Sequence, residues 1–139
     1  MKAIFELLIP VLIQVESGGD VNAIGDGGKA VGCLQIHETM VDDVNRIKDK
    51  VVYTKYKFKY SCRNEEWTSV MMCEIYLEYY YRKYVNWWNN QNTKSFNHPT
   101  PFDVCEILAR LWNGGYEGLK RNPRATDDYW SKVKKELVQ

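Results

Sequence analysis

Residues 15–36 constrain the fold more than any other stretch, because they join an apolar helical pattern to a glycine-rich segment. The apolar pattern ends at Glu16, and Ser17 is followed by two glycines. Glycine adopts the left-handed conformation just past a helix end at no steric cost, so the sequence predicts that the first helix ends here. A polar segment and an apolar run at residues 30–36 follow. The apolar run predicts a strand or a tight hairpin that folds back toward the helix end.

Glu16 is the residue of this stretch that most strongly indicates chemistry. It lies in the last turn of the predicted helix, where the negative end of the helix dipole disfavours another negative charge. Apolar neighbours add a desolvation cost, so we expect both effects to raise the pKa of Glu16. A carboxyl group that stays protonated near neutral pH can serve as a general acid.

Three short motifs in this stretch resemble a known superfamily. They are Glu-Ser-Gly at residues 16–18, Asn-Ala-Ile-Gly at residues 22–25 and Gly-Cys-Leu-Gln-Ile at residues 32–36. Together they resemble the lysozyme-like superfamily. They are closest to soluble-lytic-type lytic transglycosylases and goose-type lysozymes, whose pattern is Glu-Ser followed by Gly-Leu-Met-Gln-Ile. Cys33 replaces the usual aliphatic residue.

Two later motifs extend the resemblance over most of the chain. Leu-Trp-Asn-Gly-Gly at residues 111–115 is similar to the family's Ala-Tyr-Asn-x-Gly. Residues 126–133 resemble its late Thr-x-x-Tyr-x-x-x-Val helix. The motifs occur in the family's order, whereas residues 50–100 carry none that matches.

The resemblance implies a mainly α (α+β), lysozyme-like fold, helical with a small β-hairpin region beside the catalytic cleft. It implies one catalytic domain over residues 1–139. The implied activity is that of a peptidoglycan-degrading muramidase, which cleaves the β-1,4 bond between N-acetylmuramic acid and N-acetylglucosamine. Glu16 takes the role of the general acid that delivers a proton to the leaving oxygen. The implied partner is the glycan strand of peptidoglycan, and no cofactor is needed.

Asp26 separates two reaction types within the family. It corresponds by position to the acid that goose-type lysozymes use near the catalytic water, where many lytic transglycosylases have a serine-like residue. As a turn residue between glycines, Asp26 could equally satisfy its own backbone. His37 stands where goose-type lysozymes place a further acid. Hydrolysis through Glu16 and Asp26 is the first expectation, and lytic transglycosylation through Glu16 alone, with 1,6-anhydro products, is the alternative.

The resemblance also implies substrate-binding residues, namely Ser17, Gln35, Trp112, Asn113 and Tyr129. Gln35 and Asn113 offer amides to N-acetyl or hydroxyl groups of the sugar. Tyr129 matches the family tyrosine whose hydroxyl lies near the catalytic glutamate. Structural roles compete with these: packing for Trp112 and Tyr129, and helix-end hydrogen bonding for Ser17. Two rival functions also stay open, a chitin-cleaving enzyme and a catalytically inactive wall-binding domain.

Composition limits the other partners. The chain has 139 residues and a net charge of +1, so its bulk charge implies no nucleic-acid partner, and we expect a monomer. The four cysteines are scattered, and the histidines are only His37 and His98, so no metal site is predicted. Reduced, buried thiols are expected, with a Cys62–Cys73 disulfide as the alternative.

The first residues resemble a signal peptide, but Glu6 and Pro10 interrupt the apolar run and cleavage near residue 17 would remove Glu16. We therefore predict a mature first helix, kinked or restarted at Pro10. Its apolar stripe is predicted from residues 4, 7, 8, 11, 12 and 15. The run is too short to span a bilayer, so no stable membrane insertion is expected. We expect synthesis in the cytoplasm and action on the cell wall after lysis or from a virion, as for a phage or viral endolysin.

The remaining elements follow from caps and apolar spacing. A helix is predicted after Thr39, and a long one after Asn64, over residues 65–87, before a connector at residues 89–99. Residues 53–60 alternate aromatic residues with lysine, which predicts a strand or an extended loop. If these residues have a binding function, we expect them to form the wall of a groove for a sugar polymer with acidic or acetylated groups. If their role is structural, we expect a half-buried ribbon at the edge of the fold.

Two helices are predicted in the last third. One begins at Pro101 after the capping residue Thr100 and ends at residues 113–115. Residues 116–124 are predicted to form a loop, and Thr126 caps the last helix.

Overall fold

The structure, a computed structural model, describes residues 1–91 and 99–139. These residues form five α-helices: α1 (Lys2–Ser17), α2 (Glu38–Ile47), α3 (Glu66–Gln91), α4 (Pro101–Arg121) and α5 (Asp127–Leu137). Strands β1 (Ile24–Gly25) and β2 (Ala30–Val31) pair antiparallel, with Ile24 opposite Val31. The predicted mainly α fold with a small β-hairpin region is confirmed at this level.

The described residues divide into two compact units. The hairpin unit is Ile9–Tyr76, and the helical unit combines Met1–Leu8 with Leu77–Gln139. Each unit has its own buried apolar side chains. In the hairpin unit they include Leu12, Leu34, Ile36, Val41, Val44, Ile47, Phe58 and Met72. In the helical unit they include Leu77, Val104, Leu108, Leu111, Leu119 and Val133.

The first helix ends where the sequence predicts. Gly18 and Gly19 follow α1 with φ values of +65° and +90°, which favour glycine. The helix continues through Pro10, so the predicted restart is wrong. Proline removes one backbone donor and frees the carbonyl of Glu6, but both residues are exposed and water can satisfy that carbonyl.

The predicted apolar stripe of α1 is wrong in part. Leu8 and Leu12 are fully buried as expected, but Leu7 is 52% exposed. Phe5 and Ile9 are buried instead. The buried positions still repeat at spacings of three and four, as in any amphipathic helix. The buried face of α1 is therefore turned around the helix axis relative to the predicted apolar stripe.

The hairpin returns through a tight turn after β2. Val31 and Ile36 exchange two backbone hydrogen bonds of 3.2 and 3.0 Å, which closes the turn at residues 32–35. Gly32 has φ +85°, and a Cβ there would collide with the carbonyl oxygen of Arg63. Only glycine allows this backbone-to-backbone approach, so the glycine of the motif is a packing requirement.

Two predicted boundaries in the hairpin unit and α3 shift. Helix α2 begins at Glu38, with His37 rather than Thr39 at its N-cap. Helix α3 extends to Gln91, so the first residues of the predicted connector are helical. Residues 92–98 of that connector, including His98, lie outside the described residues.

Helix α4 has the predicted start, and its helical geometry is interrupted within the predicted end at residues 113–115, but a second helical segment follows. The Thr100 hydroxyl and the Asp103 carboxylate form a capping box, and these bonds lower the pKa of Asp103. Gly115 breaks the helical direction with φ +73° and ψ +168°. The helix then resumes, because Tyr116 and Leu119 are buried one turn apart, so the predicted loop at residues 116–124 is wrong over most of its length.

All four cysteines are free and buried, as expected, so the alternative Cys62–Cys73 disulfide is not formed. Within the described ranges, no helix combines the length and apolar character that crossing a membrane requires.

Candidate functional site

Glu16 lies in the last turn of α1 and is half-buried. Its carboxylate is close enough to act on Cys73 of α3. Burial raises the pKa of the Cys73 thiol well above its usual value, and the negative charges of Glu74 and Glu16 raise it further. Glu16 is therefore a half-buried carboxylate whose charge acts on a fully buried thiol of the hairpin unit, and its role as a general acid stays a prediction.

Ser17 fixes this helix end to the hairpin. Its hydroxyl lies 2.8 Å from the carbonyl oxygen of Cys33, to which it donates, and 3.2 Å from that of Ile13. The same oxygen accepts a hydrogen bond from the backbone N–H of Gly19 at 3.1 Å. Because Cys33 lies in the Gly-Cys-Leu-Gln-Ile motif, Ser17 joins the two sequence motifs physically. Its observed role is to tie the last turn of α1, which contains Glu16, to the hairpin.

Gln35 also serves the hairpin. Its backbone has φ +52°, and its side-chain Nε2 donates to the carbonyl oxygens of Ala23 and Gly32 at 3.2 and 2.9 Å. Its Oε1 lies so close to Gly25 that a Cβ atom on residue 25 would collide with this oxygen. Both amide hydrogens are therefore engaged within the hairpin, which leaves the carbonyl oxygen for any contact with a sugar.

Asp26 begins a single 3-10 turn between the strands and has φ +52°, a conformation that aspartate tolerates better than most residues. Its Oδ2 lies 3.1 Å from Nε2 of His37. The two side chains are 67% and 39% exposed. An exposed carboxylate whose orientation is fixed by an imidazole can hold a water molecule in a defined place.

A surface cavity of about 490 Å³ opens beside this pair, lined by Gly28, Lys29, His37, Glu38, Thr39 and Arg63. Arg63 is 9% exposed. Its guanidinium donates to the backbone oxygens of Tyr60, Lys29 and Ile36 at 2.9, 3.3 and 3.2 Å. A buried arginine thus holds the cavity wall together through three backbone bonds made by one planar guanidinium.

The helical unit contains the other three predicted residues. Trp112 is 6% exposed, so little of its indole remains for a sugar. Asn113 is exposed on α4, and Gly114 beside it packs against the methyl group of Thr126. Tyr129 is half-buried on α5. That Asn113 and Tyr129 face Glu16 across one cleft stays a prediction.

Sequence reasoning missed Arg63 and the contact between Asp26 and His37. Arg63 reaches partners 27 and 34 residues away, and nothing in its local sequence indicates this. The spacing of Asp26 and His37 gives no periodic signal either. Only the resemblance placed both residues near one site.

No group of His, Cys, Asp and Glu side chains suited to hold a metal ion occurs in the described part of the chain. The chain matches no protein-family profile, no curated protein and no solved structure.

Proposed function

We propose that this protein is a lysozyme-like glycosidase that cleaves the β-1,4 bond between N-acetylmuramic acid and N-acetylglucosamine in peptidoglycan, with Glu16 as the general acid. The observation that carries the proposal is the bond from Ser17 to the carbonyl of Cys33. It ties the half-buried glutamate of one motif to the hairpin of the next, so the two motifs form one local structure.

In this mechanism Glu16 protonates the glycosidic oxygen as the bond breaks and positive charge develops on the sugar ring. Asp26, oriented by His37, holds the water that attacks the sugar from the opposite face and accepts the proton that this water loses. Inverting enzymes of this type separate their two carboxyl groups by roughly 6.5–9.5 Å, which leaves room for that water. Ser17, Arg63 and the Gln35 amide maintain the geometry of the site.

The alternative is a lytic transglycosylase, and one observation favours it. Asp26 already has a partner in His37, and as a turn residue it needs no catalytic role. Glu16 then acts first as acid and then as base, and a hydroxyl group of the sugar itself attacks. The product is one water lighter and carries a 1,6-anhydro ring.

Mass spectrometry of products from purified peptidoglycan and from chitin oligomers tests these assignments. We expect Glu16→Gln to lose at least about 100-fold in turnover, the scale of general acid catalysis. Glu6→Gln is the matched control, because Glu6 is an exposed glutamate on the same helix. Free reducing ends indicate hydrolysis, and anhydro ends indicate transglycosylation.

Three results oppose the proposal. Near-normal lysis by Glu16→Gln shows that Glu16 is not the general acid. Cleavage of chitin alone changes the substrate. Binding to peptidoglycan without any product from the wild type indicates an inactive wall-binding domain.

A further inference from the structure

A basic and aromatic segment of the hairpin unit has no role in the site described above. Between positions 50 and 64 the chain carries five basic residues and no acidic one, although its overall net charge is only +1. We call residues 53–60 the lysine–tyrosine ribbon. It contains the lysines Lys55, Lys57 and Lys59 and the tyrosines Tyr53, Tyr56 and Tyr60.

The ribbon presents these side chains to solvent. Residues 53–59 form neither helix nor strand. Tyr53 is 93% exposed, and Tyr56 and Tyr60 are 49% and 43% exposed. The three lysines are exposed, and none forms an ion pair with another described residue. Three exposed tyrosine rings and three lysines without ion-pair partners therefore lie in one short segment.

The ribbon is also anchored, so it needs little ordering on binding. Phe58 is 2% exposed, and its backbone N–H and C=O each bond to the side-chain amide of Asn45 at 2.9 Å. Lys48 donates to the carbonyl of Thr54 at 3.0 Å, and the Tyr60 hydroxyl donates to Asp42 at 2.9 Å. A surface held in one conformation loses less entropy when it binds.

The anchoring sets the spacing of the charges. In extended backbone, alternate residues share one side, and residues two apart are about 7 Å apart. Because Phe58 points inward, its neighbours Lys57 and Lys59 lie on the outer side. By the same alternation the three lysines share the outer side with Tyr53, whereas Tyr56 and Tyr60 share the side of Phe58.

Arg63 connects the ribbon to the candidate site. It bonds to the carbonyl of Tyr60 at the end of the ribbon, and to those of Lys29 and Ile36 in the hairpin. It also lines the cavity beside His37. The end of the ribbon therefore adjoins this cavity within the same unit.

We propose that the lysine–tyrosine ribbon is a docking surface for an anionic sugar polymer, one that carries phosphate or carboxylate groups at regular intervals. The lysines bind the anionic groups, and the 93% exposed ring of Tyr53 packs on a sugar face. Tyrosine rather than leucine or tryptophan at the exposed positions favours a hydrated polymer over a lipid surface. The choice of a sugar polymer rests on the proposed function, whereas the attraction to a polyanion does not.

The test compares two triple variants in the Glu16→Gln background, so that cleavage does not disturb binding. The ribbon variant is Lys55→Gln, Lys57→Gln and Lys59→Gln. The control variant removes the same charge from three exposed lysines of α5: Lys132→Gln, Lys134→Gln and Lys135→Gln. Cosedimentation with purified peptidoglycan sacculi, at increasing salt, measures the affinity of each.

We expect the ribbon variant to lose at least about tenfold in affinity and much of its salt dependence, since a lysine near an anionic surface contributes about fivefold. The control should stay within about twofold of the parent. Tyr53→Ala, which removes a fully accessible ring, should weaken binding without changing its salt dependence. Equal affinity of the two triple variants overturns the proposal.

Two further arms identify the anionic group. Sacculi stripped of phosphodiester-linked polymers test for phosphate, and sacculi with chemically amidated carboxyl groups test for carboxylate. Binding that survives both treatments, or binding that is stronger to anionic vesicles or to DNA than to sacculi, contradicts an anionic sugar polymer. Lytic activity of Glu16→Gln refutes the proposed function and leaves the ribbon result standing, so the two failures are distinguishable.

Discussion

Nε2 of His37 lies 3.1 Å from Oδ2 of Asp26, and this contact joins the N-cap of α2 to the turn between the two strands. Both side chains are partly exposed, so the contact contributes little to stability. Its effect is on orientation: the imidazole fixes one carboxylate oxygen and leaves the other for a water molecule. The contact therefore makes Asp26 the residue that decides between the two proposed reactions.

Asp26→Asn should lower hydrolysis by about 100-fold if Asp26 holds the attacking water. Stability should change little, because asparagine tolerates the observed φ of +52° as well as aspartate does. His37→Ala should lower turnover by less, since it removes only the residue that orients the carboxylate. Reducing-end and anhydro-product assays on peptidoglycan measure both variants. Full activity of Asp26→Asn, with anhydro products from the wild type, makes the protein a lytic transglycosylase.

Gly32→Ala should destabilise the protein by about 2–4 kcal/mol, because it combines an unfavourable positive φ with a collision against the Arg63 carbonyl. Gly27→Ala is the matched control. Gly27 has φ +65° but open space where a Cβ would lie, so we expect a cost of only about 1 kcal/mol. Urea denaturation gives both free energies of unfolding. Equal losses of stability in the two variants would show that the close approach of the Gly32 and Arg63 backbones does not add to the effect of the positive φ.

Sequence signals that act within one helical turn predict the corresponding structural features correctly. The Thr100 cap, Pro101 and Asp103 all act within one helical turn, so their sequence spacing is their spatial arrangement. Gly18 and Gly19 end α1 for the same local reason. The sequence therefore predicts that the helices and the hairpin form.

Long-range packing decided the features that sequence missed. Gly114 and Gly115 predict the break that occurs at Gly115, but not the second helical segment beyond it, in which Tyr116 and Leu119 are buried. The face of α1 was misplaced because its outward side also carries apolar residues such as Leu7. In the candidate site, the motifs predict roles for Glu16 and Asp26 that stay predictions, whereas the contacts of Arg63 depend on the folded backbone.

The protein should lose stability at alkaline pH. Burial raises the pKa of Tyr76 to about 12, against about 10 for an exposed tyrosine. Above pH 10 the unfolded chain loses this proton while the folded chain keeps it, so the unfolded state binds fewer protons and the free energy of unfolding falls. Two pKa units correspond to about 2–3 kcal/mol, lost between about pH 10 and pH 12. Burial also raises the pKa of Cys73, which acts in the same direction.

Tyr76→Phe isolates this contribution. Urea denaturation of the wild type and of Tyr76→Phe at intervals from pH 8 to 12 should give a shallower decline for the variant. Tyr53→Phe serves as the control, because the Tyr53 ring is 93% exposed and its hydroxyl meets water in both states. Parallel curves for the wild type and Tyr76→Phe would show that Tyr76 is not protected from ionisation.

Asn45→Ala should loosen the ribbon without disturbing the candidate site. The Asn45 amide satisfies both backbone groups of Phe58, so its removal leaves a donor and an acceptor beside a buried ring. We expect a loss of about 1–3 kcal/mol and faster hydrogen exchange at the Phe58 amide. Asn90→Ala, on the exposed end of α3, should change neither quantity.

If the ribbon is a preformed docking surface, Asn45→Ala in the Glu16→Gln background also binds sacculi more weakly although it keeps every lysine. Faster exchange at Phe58 with unchanged binding would mean that the charges of the ribbon act without its fixed conformation.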